Sequence, residues 1–189
     1  MEPLNHRELL VLLEQSEPGF LAGTFATVFP RSVDQEGEAG AFTCFDGGFW
    51  DVRYDTGRRT LLTPWGSLTV SPEGSEDHGP AMADRPRVPP WSLVVPRCST
   101  FLGRACDSWQ IDAGKPMAGQ GDSLTVVLTS LEQPSATGTL TVDTRLRVIA
   151  SVDLGHVVQT LTIDRTSPGA ADAAAFRKLR IAVRPFGAR

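Results

Sequence analysis

Asp46, Asp51 and Asp55 fall close together in a turn-rich stretch, and grouped carboxylates are a usual source of general acid–base chemistry. Their setting argues against that use. Asp46 and Asp55 stand in the turn sequences Asp46-Gly47-Gly48 and Asp55-Thr56-Gly57, where an aspartate side chain serves the backbone. Asp51 alternates with Trp50 and Val52 and so points away from the apolar face. The histidines His6, His78 and His156 have no second His or Cys at ligand spacing, so no metal site is expected. No phosphate-binding glycine loop, dinucleotide fingerprint or nucleophile elbow occurs. The expected cofactor is none, and catalytic residues are left unassigned. Cys98 and Cys106 can in principle bridge, but the simpler reading of the three cysteines is small buried hydrophobes in a reducing compartment.

The aromatic residues carry more information. Phe25, Trp50, Tyr54, Trp65 and Trp91 sit in or beside short apolar runs. They either fill a core beneath a few helices or line an apolar pocket with a few polar groups, the usual form of a ligand site. Gln159, on the apolar side of a late strand, is the polar residue assigned to such a pocket. The expected ligand-binding set is therefore Phe25, Trp50, Tyr54, Trp65, Trp91 and Gln159. Were the pocket catalytic, Tyr54, Arg53, Gln159 and Ser92 would be its polar candidates.

These residues are placed by a chain of short strands. Asn5 to Gln15 reads as a helix, with Asn5 as N-cap, Glu8 three residues on, and Leu9, Leu10, Leu12 and Leu13 as its apolar stripe. Phe20 to Phe29 is a strand. Gly40 to Val70 follows as tightly turned strands, punctuated at Asp46-Gly47-Gly48, Asp55-Thr56-Gly57 and Pro64-Trp65-Gly66. In it Trp50, Val52 and Tyr54 make an apolar face, and Asp51 and Arg53 a wet one. Ser71 to Pro90 has no periodicity and reads as a long excursion, a mobile cover or a disordered loop. Trp91 to Ala105 reads as one or two short helices. From Ser108 the pattern is an antiparallel meander, with Val126 and Leu128, then Val148 and Val152, then Gln159, Leu161 and Ile163 on its apolar side. Ala170 to Leu179 is helical, and Ile181 with Val183 reads as a last edge strand.

Composition fits this picture. The 189 residues are 41% hydrophobic and 21% charged, as in a globular protein, and suit one domain over 1–189. A net charge of -4 argues against sequence-independent nucleic-acid binding, and no apolar run reaches membrane-spanning length. The start lacks the features of a signal peptide, so a cytoplasmic location is expected; an exported chain whose leader had been replaced by Met would read the same.

The order of elements resembles a family. A helix leads into Gly23-Thr24-Phe25, then Phe49-Trp50-Asp51-Val52-Arg53-Tyr54, a Pro-rich helical middle, and a meander containing Gly138-Thr139-Leu140-Thr141-Val142-Asp143. This is similar to the LolA/LolB-type lipoprotein carriers and the lipid-binding lipoproteins of the LppX/LprG kind. The resemblance implies a mainly β (α+β) fold: one antiparallel sheet, an unclosed half-barrel, over an N-terminal helix and a short middle helical segment. It implies binding of an apolar small molecule, lipid or acyl chain, with a protein partner left open. The chain lacks the lipobox cysteine of that family. The same fold is shared by VioE, so a cofactor-independent biosynthetic enzyme is the alternative, and a regulatory interaction module the second.

Overall fold

A computed structural model of the chain describes residues 4–32, 35–46, 48–80 and 88–183. The fold is mainly β, with twelve strands and three α-helices among the described residues. Its hydrogen-bonded path runs through eleven of the strands, in the order β6-β5-β4-β3-β2-β1-β12-β11-β10-β9-β7, with β8 on β9; among the described residues it ends at two different strands and does not close. Every resolved register is antiparallel. The chain groups into two units, one from 1–17, 27–37 and 86–161, the other from 18–26, 38–85 and 162–189. Strands β1 (Leu21–Val28) and β12 (Val158–Arg165) contribute to both.

The first unit begins with α1 (His6–Glu14). Asn5 Oδ1 accepts from the Glu8 amide at 3.0 Å, and Glu8 accepts from the Asn5 amide at 2.9 Å, so two otherwise orphaned donors are satisfied reciprocally. Leu9 and Leu13, one helical turn apart, are fully buried. Strands β9 (Ser123–Ser130), β10 (Thr137–Asp143) and β11 (Val148–Asp153) form the meander. Leu140 stands opposite both Val126 and Val152, which puts the three on one buried face. The other face carries threonines, among them Thr125 and Thr141, whose hydroxyls lie 3.0 Å apart. On β11 the simple alternation fails. Thr141 pairs with Ser151 but Val142 pairs with Ile149, so one extra residue is inserted and Ile149 turns into the core.

Short strands β7 (Trp109–Ile111) and β8 (Ala118–Gln120) both pair with β9. The middle segment is helical as expected: α2 (Trp91–Val94) is followed by a 3-10 turn, Pro96–Cys98. Leu93, Val94 and Val95 have no exposure, and α2 packs against β11. A fully buried helix can only cover the apolar side of that strand, since the opposite side is polar and half-exposed.

The second unit contains β2 (Glu38–Phe45), β3 (Phe49–Tyr54), β4 (Arg59–Thr63), β5 (Gly66–Val70) and β6 (Glu76–Pro80). The β3–β4 connection has four residues, 55–58, and closes with the Tyr54 amide donating to Arg58 O at 2.8 Å. Gly57 takes φ +88 there, a left-handed conformation that glycine adopts without cost. At Gly23 a Cβ would lie 1.9 Å from the carbonyl oxygen of Thr162, so β1 meets β12 where no side chain fits.

Four expectations need correction. Glu76–Pro80, read as part of a structureless excursion, is a strand: its ladder to β5 is complete, but its side chains are mostly exposed, so it has no hydrophobic period. Residues 81–87 of that excursion lie outside the described residues. Ile181 and Val183 form no edge strand; α3 (Ala170–Ala182) runs through Ile181, which is 79% exposed. The side of β3 expected to be wet is so only at Arg53, which is exposed, while Asp51 is buried. Phe49, on that side, packs with Leu61, Leu68 and Leu179 of α3. Finally, of the residues expected on the apolar faces, Val52, Val126, Leu128, Val148, Val152 and Leu161 are buried, while Ile163 is part-exposed.

Candidate functional site

In the first unit, α2 brings Trp91 and Ser92 to the apolar face of the meander, and both are buried. Gln159 on β12 stands directly opposite Val152. Opposed residues of an antiparallel pair share a face, so Gln159 lies on the side of the sheet that α2 covers. Among the described residues, the Ser92 hydroxyl and Gln159 Oε1 are fully buried and have no hydrogen-bond partner. Each such group costs about 1–3 kcal/mol while unsatisfied. Val126, Leu128, Leu140 and Val152, which register and alternation place on that face of the meander, offer no polar atom. A ligand oxygen or N–H would remove that cost.

The other aromatic residues expected at a site belong to the second unit. Phe25 meets the Tyr54 ring edge-on at 5.7 Å. Trp50 lies 6.1 Å from Phe42 and is almost wholly buried. Arg58 stacks over the Tyr54 ring at 3.9 Å. Burial pushes the Tyr54 hydroxyl above its ordinary pKa; Arg58 draws it back and Glu38 adds to the rise. Trp65 is placed differently. It packs on Phe49 at 5.2 Å, on the α3 side of β3, and its Nε1 donates to Val183 O at 2.8 Å. Trp50, Val52 and Tyr54 occupy the opposite side of that strand.

The carboxylates do not assemble. Asp46 and Asp55 are exposed at opposite ends of β3. Asp51 is neutralised in place: Arg59 Nε and Nη2 donate to its two oxygens at 2.8 Å, and Arg53 Nη2 donates at 3.1 Å. Burial raises the Asp51 pKa, but the bonds from Arg59 and Arg53 outweigh it and hold the group below the usual carboxylate value. Asp172, at the third position of α3, is likewise depressed by Arg165 and by the Gly169 amide, which donates to it at 2.7 Å. Among the histidines, His78 Nε2 lies 3.7 Å from Glu76, and His156 Nδ1 lies 3.1 Å from Leu154 O.

Sequence reasoning missed the Asp51, Arg53 and Arg59 group. Its signal was present: counting back from the Asp55-Thr56-Gly57 turn sets Arg53 opposite Arg59 and Asp51 opposite Leu61. Beside it lies a half-open groove of about 400 Å³ between α3 and strands β3 and β4, with Leu61 and Leu179 at its apolar floor and Lys178 on its wall.

No protein-family model matches the chain, and no curated protein matches it. Among solved structures it is similar to the crystal structure of a LolA superfamily protein from Nitrosomonas europaea, at 9% identity, over 90% of this chain and 97% of that one, with a TM-score of 0.39. No helix among the described residues is long and apolar enough to cross a membrane.

Proposed function

We propose that the chain binds an apolar small molecule, lipid or acyl chain on the face of the first unit that α2 covers, with Ser92 and Gln159 as the polar anchors and Trp91 beside them. The observation that carries this reading is that two buried oxygens, Ser92 Oγ on α2 and Gln159 Oε1 on the sheet face with Val152 and Leu140, have no partner among the described residues. A few polar groups in an apolar setting fix the orientation of a bound molecule. The matching ligand is a long apolar chain ending in a hydroxyl or amide, which can accept from Ser92 and donate to Gln159. A serine with no base bonded to its hydroxyl is an anchor rather than an activated nucleophile, and this favours binding over the VioE-type alternative.

The test is a fluorescence titration with N-phenyl-1-naphthylamine, displaced by 1-dodecanol. Saturable uptake is expected, with 1-dodecanol displacing the dye about tenfold less well from Ser92→Ala or Gln159→Leu, as for one lost buried hydrogen bond. Absence of saturable uptake, or equal displacement from all variants, would overturn the reading. Tyr54→Phe and Trp65→Phe, run beside them, test the aromatic residues expected at the site.

A further inference from the structure

We infer that the groove between α3 and strands β3 and β4 is a second binding site, for a single-chain amphiphile with a carboxylate head. It concerns the second unit alone and does not depend on the preceding proposal. The argument starts from charge. One buried carboxylate, Asp51, faces two guanidinium groups, so a positive charge is left over, and Lys178 on the facing helix adds another. Arg53 and Arg59 stand directly opposite each other across β3 and β4. Arg53 spends one donor nitrogen on Asp51 and its side chain is 64% exposed; Arg59 spends Nε and Nη2 and keeps Nη1. Both arginines line the groove, and the residues that line it include no acid.

The rest of the groove has the opposite character. α3 points Asp172, Phe176 and Leu179 toward the sheet at helical spacing, and Val183, the residue after the helix, joins Phe176 and Leu179 in the same cluster. Besides Leu179, the helix lines the groove with four alanines and Lys178. Alanines set a helix beside a sheet without filling the space between, which leaves a trough floored by Leu61 and Leu179. Its volume falls within the usual range for small-molecule sites, about 300–1,000 Å³. An apolar trough with a cationic end matches an anion with one apolar tail. The planar donor arrays of the two arginines suit a carboxylate in particular.

The experiment uses the full chain labelled with 13C at the alanine methyls, titrated with sodium dodecanoate below its micelle concentration. Sodium acetate, dodecyltrimethylammonium and 1-dodecanol serve as comparisons. Dodecanoate is expected to shift the α3 alanine methyls saturably, while the other three leave them in place at the same concentration. Arg53→Gln and Lys178→Gln should each weaken dodecanoate binding about tenfold, and added salt should weaken it further. Arg59 is left intact because it holds Asp51. An equal response to the cationic amphiphile, no shift at the α3 methyls, or unchanged affinity in both variants would overturn the inference. The proposed uptake of N-phenyl-1-naphthylamine by the first unit is tested separately from these results.

Discussion

Replacing Ser92 by Ala separates an anchor held ready for a ligand from an ordinary buried serine. A hydrogen-bonded buried serine costs about 1 kcal/mol to remove. Ser92 has no bond to lose in the free protein: its side chain is buried at 1% exposure and its hydroxyl is unpartnered among the described residues. Deleting the hydroxyl removes a desolvation penalty of about 1–3 kcal/mol and leaves a void of only one oxygen atom. Ser92→Ala is therefore expected to be stabilising by about 1 kcal/mol in urea unfolding, raising Tm by roughly 2–4 °C in a chain of this size. Ser130→Ala is the internal control, since Ser130 Oγ accepts from the Gln133 amide at 3.1 Å and from the Glu132 amide at 3.3 Å. That variant should lose about 1 kcal/mol. If Ser92→Ala is destabilised as much as Ser130→Ala, the hydroxyl has a partner and the reasoning fails.

Other outcomes follow from the same geometry. Gly23→Ala must push β1 away from the Thr162 carbonyl and should cost about 1–3 kcal/mol, read by urea unfolding. Trp50→Ala opens a large hole in a packed region and should cost about 3–5 kcal/mol by the same assay. The depressed Asp51 pKa gives stability that is fully present above the unfolded-state value of about 3.9 and is lost as pH falls through the lower folded value. The gap in stability between wild type and Asp51→Asn should therefore shrink as pH is lowered from 7 to 3. A gap that stays constant would show that Asp51 does not draw its charge state from Arg59 and Arg53.

The elements that were legible in the sequence are those whose signal is local. Asn5 and Glu8 cap α1 as their spacing predicts, and Leu140, Val126 and Val152 alternate onto one face. The misses have non-local causes. β6 is held by backbone pairing to β5, and a strand that buries no side chain leaves no period to read. Ile149 enters the core through a bulge, which shifts parity at one point that composition does not mark. Asp51 is buried because α3 packs on its side of β3 and because Arg59, eight residues on, neutralises it. At the proposed site, the position of Gln159 on the apolar side of β12 was legible from its alternation with Leu161. Ser92 was legible as a polar residue of the middle segment, but its burial comes from the packing of α2 on β11, a non-local contact.

The central claim, that an apolar ligand with a polar end satisfies Ser92 and Gln159, is tested most directly by native mass spectrometry of the protein purified from its own host. The account predicts an added mass that organic extraction removes and that is much reduced in the Ser92→Ala, Gln159→Leu double variant. A bare mass for the wild-type protein, together with no adduct after incubation with 1-dodecanol, would contradict it.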